Sequence, residues 1–193
     1  MERILITGAL GQLGQEFIKF FNKNNTYVLA TDIRSPLKVL SCDFEIADAM
    51  DEKRIDYLIK KNNINVVYHL VAVLSANGEK NPFMAWEINM KSFQNIISLS
   101  INNGIKKIFW PSSIAVFGTK SNLSFVKQDC ILNPNTIYGI SKLAGERLID
   151  YYNNKFDLDI RSLRYPGIIS FDTKPGGGTT DYIIEMIQSL KNE

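Results

Sequence analysis

The chain has 193 residues, 45% hydrophobic and 22% charged. This is the make-up of one globular domain or most of a two-lobed protein, and it excludes disorder and collagen-like repeats. With 22 Lys and Arg against 20 Asp and Glu the formal net charge is +2, and the charges are interspersed, so no footprint for nucleic acid or an anionic membrane surface is read. No apolar run approaches the roughly 18–20 residues of a membrane span. The start reads straight into an apolar strand, so no targeting segment is expected. Two distant cysteines, Cys42 and Cys130, and one histidine, His69, give no disulfide framework and no Cys- or His-rich metal site, so a reducing, cytoplasmic compartment is expected.

Along the chain, apolar runs alternate with longer amphipathic stretches. Residues 3–7 read as a buried strand and 11–24 as a helix with Leu13, Phe17, Phe20 and Phe21 on one stripe. Residues 27–31 form a second strand, and 47–62 carry a helical pattern through Ile55, Leu58 and Ile59. A third strand at 65–70 precedes a long helix at 82–103, whose apolar line is Trp86, Met90, Phe93, Ile97 and Ile101. A fourth strand follows at 106–110, a helix at 136–156, a fifth strand at 158–165 and the start of another helix at 181–190. Strands and helices alternating at this spacing predict a Rossmann-type, doubly wound parallel sheet with helices on both faces. There is no internal repeat and no linker before a second complete domain.

The first strand runs into Gly8-Ala9-Leu10-Gly11-Gln12-Leu13-Gly14 and then a helix. In a G-x-x-G-x-x-G turn the first glycine makes the tight turn, the second lets backbone approach a pyrophosphate, and the third lets helix and strand pack closely. The helix N-terminus adds unpaired N–H groups and partial positive charge. The second strand leads to Asp32, 18 residues after Gly14. A carboxylate there accepts from ribose hydroxyls and repels a 2′-phosphate, favouring NAD over NADP; Arg34 nearby works against that preference.

Tyr138 and Lys142 stand four residues apart, on one face of the predicted helix. A phenol ionises near pH 10, and a neighbouring ammonium lowers that value, so Tyr138 is a candidate general base for a substrate hydroxyl. Ser113, 25 residues earlier at the end of the fourth strand, sits where ligands lie in such sheets, and its hydroxyl can hold the same oxygen. A buried Tyr with a surface Lys is the plainer alternative.

Taken together, Gly8-x-x-Gly11-x-x-Gly14, Asp32, Asp43, His69-Leu70-Val71-Ala72, Asn89, Pro111-Ser112-Ser113, Ala115-Val116-Phe117-Gly118 and Tyr138-x-x-x-Lys142 resemble the extended short-chain dehydrogenase/reductase family in order and over nearly the whole chain. The resemblance implies NAD as cofactor, with Ser113 and Tyr138 at the reacting oxygen and Lys142 on the nicotinamide ribose and the phenolate. It implies Gln12, Leu13, Ile33, Asn89 and Ile168 at the cofactor, Asp43 and Phe44 at the adenine, and Leu70, Val71 and Ala72 alongside. His69 becomes a structural residue, and a homodimer through the helices at 82–103 and 136–156 is implied.

Sugar-nucleotide epimerases and dehydratases of that family usually carry an Arg-Tyr-Phe-Asn-like segment after the fifth strand. Here it reads Leu163-Arg164-Tyr165-Pro166-Gly167, followed by Pro175-Gly176-Gly177-Gly178-Thr179-Thr180-Asp181. This stretch is similar to the family's short-chain L-threonine 3-dehydrogenase branch, which oxidises the β-hydroxyl of L-threonine with NAD to 2-amino-3-oxobutyrate. Glycine backbone, Thr179, Thr180, Asp181 and Ser75 are then substrate candidates; the same loop also reads as a connector whose threonine caps the next helix. Family members are longer, so residues 1–170 are expected to form the cofactor lobe and 171–193 the start of the substrate lobe. A nucleotide-sugar epimerase or dehydratase, and a non-catalytic NAD-binding fragment, are the alternative readings.

Overall fold

The computed structural model describes residues 1–119, 126–169 and 181–190. Six strands, β1 (Arg3–Thr7), β2 (Tyr27–Asp32), β3 (Asp43–Ile46), β4 (Val66–His69), β5 (Lys107–Phe109) and β7 (Asp159–Arg161), form one sheet in the order β3-β2-β1-β4-β5-β7. Every pairing is parallel, with Ile4 opposite both Val28 and Val66. The helices are α1 (Gln12–Lys23), α2 (Glu52–Lys61), α3 (Ser75–Lys80), α4 (Pro82–Asn103), α5 (Ile137–Phe156) and α6 (Asp181–Leu190). None of the described helices is long and apolar enough to cross a membrane.

Alternate residues of each strand face opposite sides of the sheet. Leu5, Leu29, Val67, Ile108 and Ile160 pack on one side with Ile55 and Leu58 of α2, Phe93, Ile96 and Ile97 of α4, and Trp110. Ile4, Ile6, Val28, Ala30 and Val66 pack on the other with Ile18 and Phe21 of α1. Helix starts follow local chemistry. Asn81 caps α4 by accepting from the Met84 N–H at 3.2 Å, with Pro82 needing no partner at the first position. Thr136 caps α5 by accepting from the Gly139 N–H at 3.0 Å.

The structure departs from the expected elements in four places. The helix expected from residue 47 begins at Glu52, because Asp51 is its cap, accepting from the Arg54 N–H at 3.0 Å. β3 was not expected: Asp-Phe-Glu-Ile is short and half polar, as suits a sheet edge. α3 was not expected either, since Ser-Ala-Asn-Gly-Glu-Lys has no apolar stripe. The strand expected at 158–165 is two. β7 continues the main sheet, whereas β8 (Arg164–Tyr165) pairs in parallel with β6 (Ser112–Ser113) in a separate two-stranded unit. Pro111 has no N–H for the ladder, and the chain steps across there: Trp110 N–H donates to Arg161 O at 3.0 Å and Ser112 N–H to Leu163 O at 2.8 Å.

Candidate active site

β1 lies between β2 and β4, and strand order reverses between β1 and β4. The crevice outside the carboxyl ends of these strands is where open parallel sheets bind ligands. Gly8 turns there with φ +70, and a Cβ on it would sit 3.0 Å from Val71 N and 3.1 Å from Leu70 C. The glycine turn and residues 70–72 therefore press together as one wall, locked by a Leu70 N–H to Thr7 O bond of 3.0 Å. A Cβ on Gly14 would strike the Ala9 backbone, so only glycine lets α1 start this close to the strand. Gly11 is the N-cap and supplies no side-chain acceptor to the first turn. The Gln12 amide nitrogen is buried without a partner. Orphan donors at a bare helix start fit a pyrophosphate, so Gly8, Gly11, Gln12, Leu13 and Gly14 could hold a dinucleotide.

Asp32 ends β2, nearly buried, and accepts from the Leu10 N–H at 3.1 Å, which pins it to the glycine turn. Arg34 also holds it, through its backbone N–H at 3.1 Å and its Nε at 3.0 Å. Ile33 follows, exposed beside the crevice. Ile168 follows β8 and is half-buried.

Asp43 and Phe44 are not brought to this crevice. They pair in register with Leu29 and Ala30, before Asp32 is reached. The Asp43 carboxylate is close enough to the Tyr27 phenol, at the strand's opposite end, to raise it, and Phe44 packs against the α1-side core. The acid that β3 delivers to its carboxyl end is Asp48: Ala47 N–H donates to Asp32 O at 3.1 Å, and Asp48 follows. Asn89 is also placed differently from expectation. Its carbonyl accepts from the Val73 N–H at 2.7 Å, and its two amide hydrogens go to Val73 O and Ser141 Oγ, both at 3.2 Å. Asn89 therefore clamps the segment after β4 from behind, and its donors are not free for a ligand.

Ser113 closes β6 and its hydroxyl accepts from the Ala115 N–H at 3.2 Å, starting a 3-10 turn at Ile114–Val116. Tyr138, in the first turn of α5, is half-buried, and the Ser113 hydroxyl is the side chain that favours its ionised form. Lys142, one turn on, is 3% exposed. Its Nζ donates to Pro111 O at 2.7 Å and lies 4.1 Å from the Trp110 ring centroid and 5.5 Å from that of Tyr138. Burial pushes the Lys142 ammonium down to about 7. The Tyr138 phenol is held above its ordinary value by burial, with Ser113 opposing. The ammonium is aimed at Pro111 O and the indole face, and the lowering expected of the phenol belongs to Lys142 together with an oxidised nicotinamide ring. Ser75 opens α3, half-buried. That helix docks on the start of α5, where Glu79 accepts from the Ile137 N–H at 2.8 Å. Residues 176–178, Thr179 and Thr180 lie outside the described residues, as does the Asp181 side chain.

His69 is fully buried and held down to about 3 by burial and by Lys142. Ser92 donates to Ile88 O at 2.6 Å, so His69 Nε2 donates to Ser92 Oγ at 3.0 Å and Nδ1 accepts from Thr7 Oγ1 at 2.7 Å. This neutral ring ties β4 to β1 and α4, the structural role expected of it. No group of three or more His, Cys, Asp or Glu among the described residues could hold a metal. Sequence reasoning passed over Asp48, Trp110 and Glu146. Only Glu146 carried a signal: it lies one helical turn beyond Lys142 on the same helix.

A parallel sheet with a bare glycine turn at its reversal point, and a Ser–Tyr–Lys group beside it, defines a Rossmann-type dinucleotide-binding fold. Residues 4–193 match the family described as NAD dependent epimerase/dehydratase, and the chain belongs to it. An uncharacterized epimerase/dehydratase of Staphylococcus haemolyticus is 41% identical over 96% of the chain and 60% of its own length. A partial consensus L-threonine 3-dehydrogenase is 40% identical with TM-score 0.95, covering 99% of this chain and 63% of that one. The L-threonine dehydrogenase of Clostridium difficile is 41% identical with TM-score 0.91, covering 100% and 62%. The chain thus spans a little over three fifths of these relatives, at most.

Proposed function

We propose that the protein oxidises the β-hydroxyl of L-threonine to 2-amino-3-oxobutyrate, using NAD. The observation that carries this reading is the half-buried Ser113 and Tyr138 with the buried Lys142 behind them, in a chain 40–41% identical to threonine dehydrogenases. The reaction removes one proton from oxygen and one hydride from carbon; NAD, when bound, supplies the hydride acceptor. The chain's residues handle the proton. Ser113 and Tyr138 receive the hydroxyl oxygen, and Tyr138 takes its proton as general base. A phenol raised by burial is a poor base at neutral pH, so Lys142 has to be charged in the loaded site to favour the phenolate. The Trp110 face and Pro111 O both stabilise that charged form. Leu10 N–H and Arg34 hold Asp32 ready for ribose hydroxyls. Residues 1–170 make up the cofactor lobe in this reading, and 171–193 begin the substrate lobe.

A nucleotide-sugar epimerase or dehydratase is the second reading, favoured by the similarity to the uncharacterized epimerase/dehydratase of Staphylococcus haemolyticus. It uses the same cofactor and proton groups, because chemistry belongs to the site and not to the fold. NADH formation with L-threonine, compared with turnover of UDP-glucose, decides between them. The assay is run on this chain and on the longest form its gene encodes. Threonine-dependent NADH supports the proposal. Turnover of the sugar nucleotide alone transfers the site to the second reading. NAD binding without turnover of either leaves a non-catalytic module.

A further inference from the structure

Glu146 stands four residues beyond Lys142 on α5 and takes no part in the proton chemistry above. Its carboxylate is nonetheless the hub of a half-buried network. Ser112 Oγ donates to Glu146 Oε1 at 2.6 Å. Arg164 grips both oxygens, Nε to Oε1 at 2.9 Å and Nη2 to Oε2 at 2.8 Å. The side chains of this pair are only 15% and 14% exposed. Arg164 also donates from Nη1 to Gln128 O at 3.0 Å and lies 5.1 Å over the Phe117 ring. Burial pushes the Glu146 carboxyl up, but Arg164 and Ser112 outweigh it and hold it below its ordinary value.

The placement of these groups gives the network a purpose. Ser112 and Arg164 face each other in register in the two-residue β6–β8 pair, and Ser113 is the next residue of β6. That pair is too short to fix its own position, since it has left the main sheet at Pro111. Glu146 sits on the helix that carries Tyr138. We propose that Glu146 is a positioning residue: by binding Ser112 and Arg164 together it fixes the β6–β8 pair against α5, and so sets the Ser113 hydroxyl against the Tyr138 phenol. A bidentate Arg–carboxylate fork is suited to this, because it defines orientation as well as distance. The inference rests on the Ser113–Tyr138 reading, and its test separates the two.

The chain is made with 3-fluorotyrosine, whose ring fluorine acidifies the phenol and reports its ionisation by NMR. The Tyr138 signal is assigned as the one lost in Tyr138→Phe. Ser113→Ala, Ser112→Ala, Glu146→Gln and the double variant Ser113→Ala/Glu146→Gln are titrated. Losing the Ser113 hydroxyl makes the phenol harder to ionise, since that hydroxyl favours the ionised form. Ser113→Ala, Ser112→Ala and Glu146→Gln should each move the Tyr138 midpoint upward, by on the order of one pH unit at most. The double variant should match Ser113→Ala alone. The direction is diagnostic, because deleting a nearby negative charge would by itself move the phenol downward. Ser112→Ala removes only a hydroxyl and serves if Glu146→Gln does not fold. If Ser113→Ala moves the midpoint while Ser112→Ala and Glu146→Gln leave it at the wild-type value, the positioning role is overturned and the Ser113–Tyr138 pairing stands. If Ser113→Ala itself has no effect, the pairing fails and the inference with it.

Discussion

His69 shows how one buried side chain couples the floor of the site to pH. Its ring is neutral in the folded protein, held down to about 3 from an ordinary 6.5. The unfolded chain therefore binds a proton that the native state refuses across that window. Stability contributed by the neutral ring is fully present above about pH 6.5 and is lost as pH falls toward 3, at about 1.4 kcal/mol for each pH unit. Urea unfolding at pH 7 and pH 4.5 should show a loss in the wild type that is clearly smaller in His69→Gln, which has no proton to gain. Equal losses in both proteins would contradict a neutral, buried imidazole. Lys142 works in the same sense at higher pH. Its burial lowers it to about 7 from 10.5, so the cost of burying its charge is present in full below pH 7 and disappears as pH rises through 10.5. The site keeps an expensive ammonium, which is a feature a purely structural helix does not need.

α5 carries most of the candidate site, and its seating depends on one missing side chain. A Cβ on Gly145 would run into the Trp110 ring, which itself stacks on Phe93 at 4.6 Å. Gly145→Ala should destabilise the protein by about 1–3 kcal/mol through overpacking, read as a lower urea midpoint with an unchanged slope. An unchanged midpoint would show that α5 has room to shift. Long elements such as α4 and α5 were legible in the sequence, because their apolar residues recur at helical spacing over many turns. The glycine turn was legible because each glycine has a separate steric reason. β3 and the break between β7 and β8 were not: four half-polar residues give no period, and the step at Pro111 is set by pairing partners distant in sequence. Missing β3 carried a cost at the site. Without its C-terminal end, Asp43 stood in for the acid at the crevice, where the strand register delivers Asp48. Asn89 was misread for a similar reason, since its amide answers to Val73 and Ser141, contacts that no local pattern encodes.

On the scale of the molecule, the described surface leaves large apolar side chains uncovered on several helices, α4 and α5 among them. Phe83, Trp86 and Ile101 of α4 and Ile140, Tyr151 and Phe156 of α5 are all exposed. Exposed apolar patches of this kind mark association surfaces. The homodimer implied by the family resemblance would cover them. Sedimentation at micromolar concentration should give twice the 21.9 kDa of one chain, and Tyr151→Glu with Phe156→Glu should return the monomer. A wild type that sediments as a monomer would leave these faces to another role.

Tyr138 moving a proton in an NAD-loaded site is the central step of the proposed reaction. The most direct measurement sets wild type beside Tyr138→Phe, with NAD binding read by calorimetry and NADH formation from L-threonine read by absorbance. The account predicts NAD affinity within about threefold of wild type, since the ring and its packing remain, and turnover lowered by at least roughly 100-fold, the low end of what general-base catalysis supplies. Turnover preserved in Tyr138→Phe would contradict it.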